Sequence, residues 1–309
     1  MSLLSACPGS IAQGLIWGIF AIGVYMTYRI LDIADLTVDG SIATGGAVAA
    51  VCIINGVHPI LALLLAFIAG MAAGTITGLL HTGLGIPAIL SGILTQLALY
   101  SLNMRIMGKS NTSVSVDKYD LVVSLRHIPN SIIIGAVLCI VLIAILYYFF
   151  GTELGCSLRA TGCNPNMARA QGINTNKNKI LGLAMSNGLV GLAGGLYAQY
   201  QGNADVNMGR GAIVIGLAAV IIGEVLREAI MGKRFNFAAK LVFAVVGAII
   251  YYIVIAIVLW LGFSSNDLKL FSAIIVAIFL AVPYIKKTYF KKIPNKKAIK
   301  DEGAEICSK

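Results

Sequence analysis

The sequence predicts an all-α membrane protein, a polytopic bundle of about nine (8–10) transmembrane helices. Hydrophobic residues make up 58% of the 309 residues and charged residues only 12%, with a mean hydropathy of +0.89. A soluble globular chain carries roughly 25% charged residues. The apolar residues also form long unbroken runs, unlike the short alternating segments of a transmembrane β-barrel. A soluble enzyme, a disordered chain and a disulfide-rich secreted domain are therefore excluded.

Nine apolar segments, each close to the roughly 20 residues that a spanning helix needs, account for this bundle. In chain order they are residues 9–28, 37–56, 60–80, 86–104, 131–150, 179–199, 212–226, 239–262 and 267–285. Turn residues mark their boundaries, such as Pro59 before the third segment and Pro87 at the start of the fourth. Longer polar stretches, 105–130 and 151–178, flank the fifth segment.

The distribution of Lys and Arg predicts the orientation, because positively charged loops stay in the cytoplasm. With the C-terminus inside, the inner segments hold 17 of the 23 Lys and Arg residues and the outer segments hold 6. Nine spans then place the N-terminus outside, whereas a tenth or re-entrant segment around 29–58 would place it inside. We expect one transmembrane domain, 1–285, in the plasma or inner membrane, and a basic cytoplasmic tail, 286–309, against anionic lipid.

The residue pattern favours neither a catalytic nor a metal site. The three histidines are isolated from one another, and the six cysteines show no CxxC or Cys/His spacing. A phosphate-binding Gly-x-x-x-x-Gly-Lys-Ser/Thr loop is also absent from the sequence. The net charge of +10 indicates a membrane surface rather than nucleic acid, because the positive residues lie beside apolar runs. We therefore predict a protein that is not an enzyme and holds no cofactor.

The polar stretch between the fifth and sixth segments predicts two short helices. The first spans roughly 157–161, and Gly162 fits the left-handed position after its end. The second begins with Asn164 as N-cap and Pro165 as its first residue, and it stops at Gly172. A short, rigid, exposed helix suits docking into a groove on another protein, and packing on its own bundle is the alternative.

This stretch resembles the cytoplasmic coupling loop of ABC-importer permeases, in the branch that includes branched-chain amino acid and ribose permeases. The matching residues are Leu158-Arg159-Ala160-Thr161-Gly162, Asn164-Pro165, Met167-Ala168-Arg169-Ala170 and Gly172-Ile173. Three further stretches match in the family's order, at 35–41, 182–196 and 205–224. The forms Asp-Leu-Thr-Val-Asp-Gly-Ser and Ala-Asp-Val-Asn-Met-Gly most resemble a subgroup often encoded beside an aromatic amino acid binding protein.

The resemblance implies a permease subunit of an importer for a small solute such as an amino acid. Two permease chains, as a homodimer, would form the pore, two separate ATPase subunits would use the ATP, and an extracellular or periplasmic binding protein would deliver the solute. It also implies that the coupling loop, 151–178, docks on the ATPase. The implied ATPase-coupling residues are Leu158, Arg159, Thr161, Gly162, Asn164, Pro165, Met167, Ala168, Arg169 and Gly172.

Polar residues within or beside the apolar segments are candidates for the translocation pathway, since such groups need partners in a membrane and mark function. They are Asp39, Ser41, Gln96, Asn187, Gln201, Asp205 and Asn207. Thr37, Asp39 and Ser41 are each candidate N-caps for the helix of the second segment. That helix begins either within the membrane, beside the solute, or at the cytoplasmic interface, where the nearby Arg29, Asp32 and Asp35 would pair at the level of the headgroups.

Two further features leave alternatives open. Glycines at every fourth position, 70, 74 and 78 and again 191 and 195, allow close helix approach, either within a subunit or at a dimer seam. Glu224 is expected to pair with Arg159 or Arg169.

The alternative function is a secondary transporter driven by an ion gradient, for which Asp39 and Glu224 are the intramembrane carboxylates.

Overall fold

The computed structural model describes residues 3–116, 119, 121–231 and 236–261, together with the helical residues 270, 273–274, 276–277 and 281. Most of these residues are helical. The elements are α1 Leu3–Tyr25 with a following π-helical turn Met26–Ile30, α2 Thr37–Ile54, α3 Pro59–Gly83, α4 Ala88–Met107, β1 Asn111–Ser113, α5 Ile128–Gly151, α6 Glu153–Cys163, α7 Pro165–Ala170, α8 Thr175–Gln201, β2 Asn203–Asp205, α9 Ala212–Met231 and α10 Phe237–Trp260. The two strands pair antiparallel.

The structure confirms an all-α membrane bundle but does not confirm about nine spans. Among the described residues, six helices are long and apolar enough to cross a membrane: Cys7–Ile30, Thr37–Ile54, Pro59–Gly83, Ile128–Gly151, Thr175–Gln201 and Phe237–Trp260. The fourth and seventh apolar segments form α4 and α9, which are not among the six, and α9 carries Glu224, Arg227 and Glu228. The ninth segment lies largely outside the described residues, and the basic tail lies wholly outside them.

α8 lies at the centre of the bundle and packs against α1, α2 and α3. Its contact with α3 is a glycine seam. A Cβ on Gly70 would overlap the carbonyl of Asn187, and a Cβ on Gly74 would overlap that of Leu183. A Cβ on Gly191 would in turn meet a carbonyl of α3. Because these glycines pack two helices of one chain, the sequence alternative of packing within a subunit is the correct one for this face.

α8 has 27 residues and is about 40 Å long at 1.5 Å per residue, so it runs from one end of the molecule to the other. α6 and α7 lie at its start, where the side-chain amide of Asn178 donates to Thr161 Oγ1 at 2.9 Å. The β1–β2 hairpin lies at its other end, because β2 follows α8 directly. α1 begins at that hairpin end, where the Tyr200 hydroxyl donates to the Gly9 carbonyl at 3.2 Å.

The segment between the π-helical turn and α2, residues 31–36, reverses the chain. Asp32 in this segment has a φ of 55°. Asp35 then accepts a hydrogen bond from Asn187, which lies near the middle of α8. α2 therefore begins level with the middle of α8 rather than at either end of the bundle. This position favours the first sequence alternative, a helix that begins within the apolar layer.

The predicted left-handed position of Gly162 is wrong, because α6 is longer than expected. It begins at Glu153, where the Thr152 hydroxyl accepts from the Gly155 N–H, and it runs through Gly162 to Cys163. A Cβ on Gly162 would overlap the carbonyl oxygen of Ile30. Glycine is required there because α6 packs directly on the π-helical turn.

Candidate translocation and coupling sites

A buried polar cluster lies where α2 begins. Asn187 on α8 donates from its amide to Asp35 Oδ2 at 2.6 Å, and its amide oxygen accepts from the Ser41 hydroxyl at 2.6 Å. The other oxygen of Asp35 accepts the backbone N–H of Thr37 at 2.9 Å. Asp35 is only 3% exposed. The sequence alternative in which Asp35 joins Arg29 and Asp32 at the headgroups is therefore wrong for Asp35, since the chain reversal carries it into the core.

Hydroxyl groups extend this cluster across two more helices. Thr37 Oγ1 lies 2.7 Å from Thr77 Oγ1 on α3, which in turn donates to Thr95 Oγ1 on α4 at 2.9 Å. All three side chains are buried. The central polar cluster, made of Asp35, Thr37, Ser41, Thr77, Thr95 and Asn187, thus joins α2, α3, α4 and α8 by side-chain hydrogen bonds.

Asp39 caps a helix, but not the helix that the sequence predicted. Its two carboxylate oxygens accept the backbone N–H groups of Gly211 and Ile213, at 2.9 and 2.8 Å, at the start of α9. The residue before α2 makes no side-chain cap, and the Thr37 N–H is satisfied by Asp35 instead. Thr37, Asp39 and Ser41 are therefore not N-caps of α2. A carboxylate is favourable at a helix start, where free N–H groups and the positive dipole end meet.

A cleft of about 360 Å³, here called the α2–α4 cleft, lies between α2, α4 and the turn before α9. Its polar side chains are Asp39, Gln96, Asn103 and Arg210, and Tyr100 lines it too. Of the seven predicted pathway residues, two therefore line this cleft, and Ser41 and Asn187 belong to the central polar cluster.

The remaining three predicted pathway residues lie at the hairpin end. Gln201 is exposed, and its amide donates to the Tyr197 hydroxyl at 3.4 Å. Asp205 ends β2 and accepts the Asn207 N–H at 2.6 Å, and Asn207 is exposed in the turn that follows. These side chains stabilise or cover the turn at the hairpin end and do not line the cleft.

The predicted coupling residues form a small two-helix unit at the start of α8. The predicted start of α7 is confirmed: Asn164 Oδ1 accepts the Met167 N–H at 3.1 Å, and Pro165 is the first helical residue. Gly172, with a φ of 78°, follows the last turn. Three of the unit's side chains are buried against the bundle: Leu158, Thr161 and Ala168.

The two arginines of this unit hold it together. Arg159 donates to the Phe150 carbonyl at 2.9 Å, which ties α6 to the end of α5. Arg169 donates to Thr175 Oγ1 at 2.8 Å, which ties α7 to the start of α8. Met167 takes no part in these two hydrogen bonds and is 63% exposed. The unit is thus fixed on its inner side and presents an apolar side chain outward.

Glu224 pairs with Arg29, and the predicted partners Arg159 and Arg169 are wrong. The pair joins α9 to the π-helical turn after α1. It is partly exposed on both sides. The sequence indicated neither the π-helical turn nor its position beside α9, and so gave no reason to pair residues 195 positions apart.

Residues 9–283 match the family described as "Branched-chain amino acid transport system / permease component". The chain belongs to this permease family. It is therefore a transporter subunit of a multi-pass membrane type and not an enzyme. Members of the ABC permease family act with an ATPase and a binding protein, so membership implies both partners.

Three relatives show the breadth of this permease family. A "Tyrosine transport system permease protein" of Clostridioides difficile is 41% identical over 300 residues, covering 94% of this chain and 97% of its own. An "Inner membrane ABC transporter permease protein YjfF" of Escherichia coli is 31% identical over 235 residues, 72% of this chain and 70% of its own. The "Ribose import permease protein RbsC" of the same species is 27% identical over 258 residues, 82% and 74%. No solved structure gives a significant match.

Proposed function

We propose that this permease carries an amino acid, tyrosine or a close analogue, into the cell, driven by a separate ATPase that docks on α6 and α7. The observation that carries this proposal is the two-helix unit at the start of α8. It is capped, tied to α5 and α8 by Arg159 and Arg169, and exposes Met167. Such a unit transmits force in a way that a flexible loop does not.

The contacts of Gly162 supply a route from the docked unit to the pathway. α6 packs through Gly162 on the carbonyl of Ile30. The chain then passes through the reversal at 31–36 to Asp35, which is bonded to Asn187. A displacement of α6 therefore reaches the central polar cluster through one short, buried segment.

The solute assignment follows the tyrosine transport relative, at 41% identity over nearly the whole of both chains. The side chains of the α2–α4 cleft are compatible with it, because they combine both signs of charge with amides and an aromatic ring. The aromatic amino acid subgroup that the sequence resembles supports the same class. A periplasmic or extracellular binding protein would deliver this solute at the hairpin end.

The proposal places two copies of the chain around one pore, with α6, α7 and the C-terminus in the cytoplasm. The excess of Lys and Arg in the segments on the α6–α7 side supports this orientation. The ion-driven alternative has less support, because the ABC permease family implies an ATPase partner. Glu224, one of the two carboxylates that this alternative needs, also pairs with Arg29.

The test is uptake of labelled L-tyrosine by liposomes that hold the permease with its ATPase and binding protein. We expect uptake that requires ATP, and a loss of roughly tenfold or more in Met167→Asp, because a carboxylate in an apolar groove costs several kcal/mol. The control is Leu84→Asp, which adds the same charge to an exposed apolar residue in the α3–α4 loop at the same end. Uptake without the ATPase, or equal loss in both variants, would refute the proposal.

A further inference from the structure

The α2–α4 cleft contains a polar side chain that the fold leaves without partners. Asn103 on α4 is 1% exposed, and neither of its two side-chain amide atoms has a hydrogen-bond partner among the described residues. Buried polar groups are almost always hydrogen-bonded, because an unpaired one costs free energy. The cost is not recovered by lipid, which offers no partner. The Asn103 amide therefore fits a ligand that supplies both a donor and an acceptor.

The same cleft carries both signs of charge. The Arg210 side chain is exposed at its rim, and no ion pair joins it to a carboxylate among the described residues. Asp39 uses one lone pair on each oxygen for the start of α9 and keeps further acceptor capacity, since a carboxylate accepts about four hydrogen bonds. A ligand with separate positive and negative groups would satisfy both side chains.

The remaining wall of the cleft is aromatic and apolar. Tyr100 is 42% exposed and lies one turn before Asn103 on α4, and Leu97 is exposed beside it. At about 360 Å³ the cleft is at the small end of ligand pockets, which suits one amino acid rather than a peptide or nucleotide.

We propose that the α2–α4 cleft is a binding site for the transported amino acid itself. Arg210 takes the α-carboxylate, Asp39 takes the α-ammonium group, Asn103 hydrogen-bonds to the same head group, and Tyr100 contacts the side chain. The site rests on the proposed function, which supplies the amino acid. Its place between the hairpin end and the start of α2 puts it ahead of the central polar cluster for a solute arriving at that end.

Saturation-transfer NMR tests the site on the assembled permease–ATPase complex in nanodiscs, without the binding protein. L-tyrosine is the probe, and tyramine, which lacks the carboxylate, is the comparison. We expect a signal from L-tyrosine with the wild-type complex. In Arg210→Gln the affinity for L-tyrosine, read from a titration of this signal, should fall about tenfold, the order expected for one charge-assisted hydrogen bond. Tyramine should give a weaker signal that Arg210→Gln does not reduce further.

The matched control is Arg105→Gln, which removes the same charge from the exposed end of α4 outside the cleft. It should leave the L-tyrosine signal unchanged. Asn103→Leu should also lose the signal, while the midpoint of thermal unfolding stays level or rises, because an unpaired amide is removed. A clear fall in that midpoint would show that the fold itself needs Asn103, and would overturn its assignment to the solute.

Two other results would overturn the site: no signal with the wild-type complex, or the same signal in the wild type and both cleft variants. The importer proposal is judged separately by uptake, so tyrosine import with no binding in the cleft refutes only the site. Binding in the cleft without uptake of any amino acid supports the site and refutes the importer proposal.

Discussion

At the scale of single residues, Asn187 is the side chain that links α8 to the start of α2. It donates to Asp35 and accepts from Ser41 in a fully buried environment. We predict that Asn187→Leu lowers the free energy of unfolding by about 3 kcal/mol, because it leaves a buried carboxylate with one partner fewer. Denaturant unfolding of the purified permease in detergent measures the change.

The control for this change is Thr44→Val on α2. The Thr44 hydroxyl is also buried, but it bonds only to the Gly40 carbonyl of its own helix. Its loss should cost less than about 1 kcal/mol. If the two variants unfold alike, the link between α2 and α8 through Asn187 does not stabilise the fold.

Gly162 gives a second prediction at this scale. Gly162→Ala places a methyl group against the Ile30 carbonyl, so it should cost about 1–3 kcal/mol in stability and reduce ATP-driven uptake. Gly151→Ala is the matched control, because a Cβ there meets nothing within 4 Å. Its stability should stay level or rise slightly, as alanine is the better helix former. Measurements of uptake and of thermal unfolding on both variants test this prediction, and equal behaviour of the two would contradict it.

Residue-level prediction from sequence succeeded where the chemistry is local. Asn164 and Pro165 start α7 as expected, because a cap and its N–H partner lie within three residues. It failed for Asp35, whose partner Asn187 lies 152 positions away. The available signal was the spacing of Asp35 before Thr37, since an Asp side chain readily accepts the N–H two residues on.

At the scale of elements, α9 depends on a carboxylate supplied by another helix. We predict that Asp39→Ala lowers stability by about 1–2 kcal/mol, the usual cost of losing an N-cap, and Asp39→Asn by less. Hydrogen exchange should quicken in the first turn of α9 because the Gly211 and Ile213 N–H groups lose their acceptor.

Asp205→Ala is the control for Asp39→Ala. It also removes a carboxylate that accepts a backbone N–H, but in the turn after β2 and not at a helix start. Exchange in α9 should be unchanged in this variant. Equal exchange in α9 for Asp39→Ala and the wild type would refute the cap.

The helices themselves were largely predictable, because long apolar runs determine them. Each of the first eight apolar segments corresponds to a described helix, and the largest difference at any end is six residues, at the start of α1. The length of α6 was underestimated, since the Thr152 cap lets it begin at Glu153, four residues before the predicted start at 157. The π-helical turn Met26–Ile30 has no sequence signature of its own, and the tertiary contact with Gly162 accompanies it.

At the scale of the whole molecule, orientation is the property to test. Cys163 is exposed at the α6–α7 end, and Asn207 is exposed at the hairpin end. In a background whose other cysteines are serine, we predict that a membrane-impermeant maleimide labels Cys163 only in inverted vesicles. An Asn207→Cys variant that lacks Cys163 should react with the same maleimide only in intact cells.

These two reporters control for each other, since they share the reagent and the background and differ only in position. Labelling of Cys163 from outside would invert the proposed orientation and remove the ATPase from its docking unit. The start of α1 lies at the same end as Asn207, so labelling of Asn207→Cys from outside would also place the start of α1 outside.

The glycine seam between α3 and α8 limits which parts of the permease move against each other. Backbone carbonyls of each helix occupy the space that a side chain would fill on the other. Neither helix can therefore slide along its partner by one residue without a steric clash. α3 and α8 must then travel as a single block. Any rearrangement that opens one face and closes the other has to take place outside this seam, as at α4, which meets α3 through the Thr77 and Thr95 hydroxyl groups.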